Sequence, residues 1–486
     1  MMPATSLPDI DERAQAFVRG ASGRLFYESY ERYNTCIARA AREPLFPVPV
    51  AVRWKRLLET RARLLKLRGL RLHLLIAPDA HFIYRDEVPE HLVLPARSPA
   101  RQFCELFSGI DNLTIINPED ALIGARGGID VYRANDTHWS AYGAFVAYRT
   151  LIEQLPATTP MHPVTAAEVG YRFLPSYGDM GALAEPEVVA DMPVASIRDG
   201  AAKLVFNRAA EGRNAWTRYE SSRGRGHAFV LRDSFATELA VYFNATFARV
   251  DLLGATSRLH LEAIDEEKPD VVIWEVAERR LLVEENDYHA TTAYEVYAFD
   301  RNTPQGSLAL EAYVDKAEGD LGKALERARS AAQYPEAGTA YQYLLADLLL
   351  ANRMFEEAEA TIRRALELRD DRPAYWHLLS VIARHLGQPE VATAASERAA
   401  NLAPHNGKFV ADCGYNLLAA GRRAEAIDIM SACRAVVSDS PYLSYWLATA
   451  YHQAGDPENA RKEAINACLL LPNNPKVYAL MWTIER

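Results

Sequence analysis

Cysteine is scarce in this chain: five among 486 residues, Cys36, Cys104, Cys413, Cys433 and Cys468, with no C-x-x-C pair. An odd, scattered set excludes a disulfide framework and a zinc site of the usual spacing, and fits free thiols in a reducing compartment. A basic surplus is also missing. The net charge is −10, so nucleic acid is not an expected partner. No segment offers about 18 uninterrupted apolar residues, so no membrane span is expected. The opening MMPATSLPDIDERAQAFVRG has no basic stretch followed by an apolar run. No secretory signal is expected, and the chain reads as soluble and cytoplasmic. Neither H-E-x-x-H nor clustered Cys/His occurs, which argues against metal catalysis, so no metal ligand is assigned. Walker and dinucleotide glycine fingerprints are absent, and GARGGID (124–130) has neither the spacing nor the context of a phosphate loop. No cofactor is expected.

What is present is ordinary for a globular protein: 49% apolar and 24% charged residues. At ~150 residues per domain the length allows about three domains, or one large domain and an array. The two halves read differently. From about residue 15 to 285, apolar runs alternate with helical periodicity. The runs are LRLHLLIAP (70–78), LTIINP (113–118), HAFVLR (227–232) and DVVIWEV (270–276), each bounded by turn-forming or charged residues. Helical stretches fall at 52–68, 140–155, 236–248 and 257–267. The pattern predicts an α/β fold, a mainly parallel sheet with helices on both faces. Residues 52–71 are rich in Arg and Lys among Leu57, Leu58, Leu64, Leu65 and Leu67, and read as an amphipathic helix with a solvated basic face.

From about residue 308 the texture is continuously helical and repeats. Gly387, Gly421 and Gly455 lie 34 apart, as do Ala358, Ala392, Ala426 and Ala460, and the small residues Ala346, Ser380, Gly414 and Ala448. Pro373, Gly407, Pro441 and Pro475 share the spacing. A helix–turn–helix unit of this period resembles the tetratricopeptide repeat (TPR). Small residues let paired helices approach, glycine allows the turn, and proline is expected to end the second helix. The units are 340–373, 374–407, 408–441 and 442–475, preceded by a degenerate pair at 308–337 and capped by the tail. The predicted organisation is an α/β domain over 1–285, a linker over 286–307 and an all-α TPR solenoid over 308–486. Such an array is by default a surface for a partner protein.

Two segments carry chemistry. In VYRANDTHWSAYGAF (131–145), Asp136 and His138 are two apart. An extended chain places them on one side, where the carboxylate can fix the imidazole tautomer, although a metal-ligand pair or a surface turn fits the triplet equally well. Trp139 can exclude water, and Ser140 can cap the next helix. In HAFVLRDSFATELAVYF (227–243), a strand runs through Arg232, Asp233 and Ser234 into a helix. A serine there sits beside unpaired helix N–H groups that favour an oxyanion, although Asp-Ser before a helix is also the composition of an ordinary N-cap. Together the segments supply Asp, His and Ser for acyl transfer. Arg232 is read as holding the turn. Tyr177, Asp179 and His81 are placed near the pocket. Glu275, Glu278 and Arg279 are read as a surface ion pair or loop anchor.

These segments resemble the alginate O-acetyltransferase group of Ser-Gly-Asn-His (SGNH) hydrolase-like proteins. The similarity runs in order through GASGRLFYES (20–29), LLIAPDAHFIYRDEVPE (74–90), YRANDTHWSAYGAFVAYRTL (132–151), SYGDMG (176–181), FVLRDSFATELAVYFNATFARV (229–250) and KPDVVIWEVAERRL (268–281). It departs at Asp79-Ala80-His81, where the family usually carries a lysine, and at Arg24, where an aromatic is more usual. The resemblance implies Ser234 as nucleophile, His138 as general base and Asp136 as its orienter. Trp139, Arg232, Asp233, Asp179 and Tyr177 would support substrate or site. It also implies acetyl transfer from an acyl donor to a carbohydrate acceptor, as in exopolysaccharide biosynthesis. The same residues serve an esterase with water as acceptor, and a silent scaffold recruiting partners through its repeats is the remaining alternative.

Overall fold

The computed structural model describes residues 17–27, 45–90, 92–184, 186–209, 215–254, 259–282 and 294–485. The chain divides into two compact units, one drawn from residues 1–58, 65–207 and 216–285, the other from 59–64, 208–215 and 286–486.

The strands are β1 Phe17–Arg19, β2 Leu25–Tyr27, β3 Leu72–Ala77, β4 Leu113–Ile116, β5 Val169–Ser176, β6 Ala190–Ile197, β7 Lys203–Ala209, β8 Ala215–Glu220, β9 His227–Leu231, β10 Arg249–Leu253 and β11 Val271–Ala277. The helices before residue 286 are α1 Val48–Lys66, of which residues 59–64 count with the second unit, α2 Ala80–Ile83, α3 Pro99–Phe107, α4 Glu119–Gly124, α5 Ala141–Ile152, α6 Gly178–Gly181, α7 Ala236–Thr246 and α8 Leu261–Glu267. The main sheet has the order β4-β3-β11-β9-β10-β8-β7. It is parallel from β4 to β10 and turns antiparallel at β8.

The central strands β3, β9 and β11 are buried at every position, which is why they read as unbroken apolar runs. Period two divides their side chains between two layers. Leu75, Val230, Val250 and Ile273 join one core with Trp139 and Tyr148 beside α5 and with Tyr242 and Phe243 of α7. Trp274 faces the other way, stacks 6.3 Å from Trp54 of α1, and Trp54 meets Phe103 of α3 edge-on at 5.1 Å. Helices therefore cover both faces, as expected.

Some elements escaped the pattern. In β10, Asp251 interrupts the apolar run. It is fully buried and accepts hydrogen bonds from Trp216 Nε1 at 2.6 Å and Arg218 Nε at 2.7 Å, with His227 Nε2 also 2.7 Å away. The β5–β6 hairpin is only partly buried: Val169, Ala195 and Ile197 pack against the core, while most of β5 is exposed, so it shows no continuous apolar run. Of the helix expected at 257–267, residues 255–258 lie outside the described residues, as do Cys36, residues 28–29 of the opening glycine block and residues 286–293 of the expected linker.

The solvated basic face expected at 52–71 holds in part: Lys55, Lys66 and Arg71 are exposed. Arg61 of α1 is fully buried, Arg63 pairs with Glu59 at 2.8 Å, Lys66 with Asp111 at 2.6 Å and Arg68 with Asp265 at 2.5 Å. Carboxylates lie one turn back (Glu59), on the loop before β4 (Asp111) and on α8 (Asp265), so Arg63, Lys66 and Arg68 are paired. Arg24 is likewise absorbed by structure: it lies 3.8 Å over the Tyr84 ring and donates to Tyr132 O at 3.0 Å.

The second unit comprises α9 Pro304–Glu318, α10 Leu321–Ala332, α11 Thr339–Ala351, α12 Phe355–Leu368, α13 Pro373–His385, α14 Pro389–Leu402, α15 Gly407–Ala419, α16 Arg423–Val436, α17 Pro441–Ala454, α18 Pro457–Leu470 and α19 Pro475–Glu485. The in-phase small residues sit where the helices of a pair meet: Ala358, Ala392, Ala426 and Ala460 are at most 1% exposed. Two expectations change. The prolines open the first helix of a unit instead of ending the second, since Pro373, Pro441 and Pro475 are first residues of their helices. There the missing N–H costs nothing and the fixed φ is already helical. The helix expected from 308 starts at Pro304, inside the expected linker, because Thr303 Oγ1 accepts the Gly306 N–H at 3.1 Å and caps it. Among the described residues, no helix is long and apolar enough to cross a membrane.

Candidate active site

Asp136 and His138 meet in a tight turn, not in the extended segment expected. The turn is closed by an antiparallel bridge between Tyr132 and Trp139. Asp136 Oδ1 accepts the His138 backbone N–H at 2.9 Å and lies 2.7 Å from His138 Nδ1. Its other oxygen accepts from Arg133 Nη1 at 3.0 Å. Burial by itself would raise the Asp136 pKa. The hydrogen bonds from His138 and the charges of His138 and Arg133 outweigh it and hold the carboxyl well below its usual range. An ionised carboxylate only accepts, so His138 Nδ1 carries the proton and neutral Nε2 is left as an acceptor. That acceptor is 2.7 Å from Ser234 Oγ, which donates to it.

Ser234 lies between the end of β9 and the start of α7 and is exposed. The capping expected of an Asp-Ser pair is made by neither residue: the N-cap of α7 is Phe235, without a side-chain cap, and Asp233 instead holds the turn before it. Asp233 Oδ1 accepts Phe235 N–H at 3.0 Å and Oδ2 accepts Ala277 N–H at 2.7 Å, tying the turn to the end of β11. Ser234 Oγ is thereby free of structural duty and faces His138. Among the described residues no acceptor takes the Ser234 N–H. Trp139, fully buried, donates Nε1–H to Phe235 O at 2.9 Å and packs edge-on against the Phe235 ring at 5.2 Å. It joins the two motifs and buries one side of the site.

The turn is buttressed from the strand ends. Arg232 Nη1 donates to Asp233 O at 3.1 Å, the turn-holding contact expected. Glu275 and Glu278 are fully buried, which corrects the surface ion pair in favour of the anchor. Glu275 Oε2 accepts Asp233 N–H at 3.0 Å, while Glu278 accepts Asp79 N–H at 2.7 Å and Ala100 N–H at 2.8 Å. Burial, then the Asp233 charge, pushes the Glu275 carboxyl well up. Arg279 pairs with Asp79 at 2.7 Å and lies 5.1 Å from the Phe235 ring centre.

Asp179 comes to the site from α6. Its Oδ1 accepts Thr137 N–H at 2.7 Å and its Oδ2 lies 3.6 Å from His138 Nδ1. Gly178 makes this possible: its φ is +62°, and a Cβ there would meet Asn135 O at 2.4 Å. Tyr177, about half exposed, and His81, buried against Phe82 with its pKa lowered to about 4 by burial, make no contact with the triad among the described residues. Arg133 and Thr137 were missed; only Arg133, three before Asp136, carried a local signal.

Asp136, His138 and Asp179 each offer one ligand atom within 4.8 Å of one another. A cation held through Nδ1 would displace the hydrogen bond that orients the imidazole. The arrangement described is that of a carboxylate, a base and a hydroxyl in series.

Residues 49–195 match the family described as an SGNH hydrolase-like domain, acetyltransferase AlgX. Residues 316–382 and 414–476 match two tetratricopeptide repeat families. The first match includes Asp136, His138 and Asp179 and ends before Ser234. Among solved structures, the O-acetyltransferase domain of Pseudomonas putida AlgJ is 17% identical, covering 58% of this chain and 97% of its own, with a TM-score of 0.40. PatB1 of Bacillus cereus is 12% identical, covering 55% and 96%, at 0.41. A thermophilic TPR protein of Thermus thermophilus is 17% identical, covering 37% and 98%, at 0.31. No curated protein matches the chain. The chain thus has a stretch similar to SGNH hydrolase-like domains, followed by two stretches similar to tetratricopeptide repeats.

Proposed function

We propose that the N-terminal unit moves an acyl group, in the first instance acetyl, from a donor to a carbohydrate hydroxyl through an acyl-Ser234 intermediate, and that the repeats dock a partner protein. One observation carries the reading: His138 stands 2.7 Å from Ser234 Oγ through Nε2 and 2.7 Å from Asp136 through Nδ1. His138 takes the Ser234 proton as Oγ bonds to the acyl carbon, and the donor's leaving group departs with that proton. In the second half an acceptor hydroxyl gives its proton to His138 and attacks the acyl carbon. The acyl–Oγ bond then breaks and the proton returns to Oγ. General base work of this kind is worth about 10²–10⁴-fold. The free Ser234 N–H, beside the N-terminus of α7, suits the oxyanion. The donor is consumed as substrate, so no cofactor is needed.

The exposure of Ser234 favours a second reading, hydrolysis, in which water takes the acceptor's place. An exopolysaccharide is the acceptor class we favour. We place the chain in a reducing compartment, supported by the free thiols of Cys104, Cys413, Cys433 and Cys468.

The test is intact mass after exposure to an activated acetyl ester. Wild type should gain one acetyl group, Ser234→Ala none, and His138→Ala should acylate at least about 100-fold more slowly. Sugar acceptors are then compared with water. A folded wild type that neither gains acetyl nor turns over ester leaves the scaffold reading.

A further inference from the structure

We propose that Asp179 is a positioning residue for His138: a second carboxylate, on the Nδ1 side of the imidazole, that favours the imidazolium formed when Ser234 gives up its proton. The inference rests on the acyl-transfer reading and adds to the triad a residue from a separate loop. Asp179 Oδ2 is 3.6 Å from His138 Nδ1. Both Asp179 oxygens accept from Thr137, Oδ1 from the backbone N–H at 2.7 Å and Oδ2 from the hydroxyl. Thr137 Oγ1 is itself 3.2 Å from His138 Nδ1. Accepting at both oxygens suits the ionised carboxylate, and a negative charge at this distance attracts an imidazolium more than a neutral ring.

The loop is built to keep Asp179 there. Asn135 Nδ2 donates to Ser176 O at 2.7 Å and Val188 O at 2.9 Å, on either side of α6, and Asn135 O accepts from Gly181 N at 2.9 Å. The turn bearing Asp136 and His138 and the loop bearing Asp179 are thus clamped through one buried amide. Among the described residues, few charged or titratable groups contact His138. Asp136, with Arg133 on its far oxygen, comes from its own turn. Asp179 comes from α6. On α7, Glu238 is held by Arg133. Ser234 and the Phe235 ring complete the surroundings. Burial and the Asp136 charge push the Asp179 carboxyl up, whereas Asp136 is held down. On acidification Asp179 therefore loses its charge first, and its help fades before the triad's own hydrogen bond does.

The experiment compares wild type, Asp179→Asn and Asp179→Glu as full chains. Asparagine keeps the shape and an acceptor for Thr137 N–H but removes the charge. Two readouts are taken: kcat and KM on an activated acetyl ester, and the titration of the His138 ring by NMR, identified as the resonance missing from His138→Gln. In Asp179→Asn we expect kcat to fall about tenfold with KM unchanged, and the His138 midpoint to move down by about one pH unit, the same factor of ten. Asp179→Glu should recover part of both. An unmoved midpoint in a folded Asp179→Asn overturns the proposal whatever happens to kcat, because a merely structural loss would leave it unmoved. If wild type never forms an acyl-Ser234, the acyl-transfer reading falls, while the ring titration still judges Asp179.

Discussion

Ser234 and Asp233 are neighbours in one turn with opposite duties. Asp233 spends both oxygens on backbone N–H groups of Phe235 and Ala277. Ser234 spends its hydroxyl on His138. Composition alone fits either residue to the cap, so the assignment waited on where Ala277 and His138 lie. Glu275 gives a prediction at this scale. Buried, and beside the Asp233 charge, its folded-state pKa is raised well above the ordinary value of about 4.3. The folded chain then holds a proton that the unfolded chain has released. The stability linked to Glu275 is full below about pH 4.3 and is lost as pH rises toward the raised value. Glu275→Gln keeps an acceptor for Asp233 N–H and cannot ionise. Between about pH 5 and pH 8, the denaturant midpoint of wild type should therefore fall relative to that of Glu275→Gln. Parallel pH curves for the two proteins would contradict the assignment.

At the scale of elements, the repeats were the most readable part because their signal is both local and periodic. Gly387, Gly421 and Gly455 have φ of 69°, 74° and 77°, the left-handed turn between paired helices. Counting back through the phase reaches Arg353 at φ 62° and then Gly319 at 89°. Arg353 is the one member of the series that bears a Cβ in that conformation, which costs roughly 1–2 kcal/mol. Arg353→Gly should stabilise the repeat unit by about 1 kcal/mol after the added entropy of the unfolded glycine. A higher urea midpoint with an unchanged slope is the expected result, and a lower midpoint would sink it. The strands divided by burial. Wholly buried β3, β9 and β11 stood out as apolar runs. The partly buried β5–β6 pair did not, and β10 was hidden by Asp251, whose burial is made tolerable by partners on β8 and β9.

At the scale of the whole molecule, the scarcity of cysteine becomes a probe. Cys413 and Cys433 are at most 1% exposed, and burial pushes their thiols up to about 11 and about 12. Neither will be a reactive thiolate in the native chain. Iodoacetamide at about pH 8 should label both only as fast as the repeat unit opens, and at once in denaturant. Rapid labelling of Cys413 or Cys433 in the native protein would show that this part of the fold is wrong. Sequence by itself determined the α/β pattern, the 34-residue period and the three residue types a serine acyl transfer requires, because apolar alternation, helical phase and adjacent motifs are written within a few residues of one another. Only the tertiary structure decided that Ser234 is not a cap, that Arg133 and Asp179 attend the Asp136–His138 pair, and that Glu275 and Glu278 are buried anchors. Hydrogen bonds and charge interactions act over a few ångströms, and folding alone sets those distances between residues far apart in the chain.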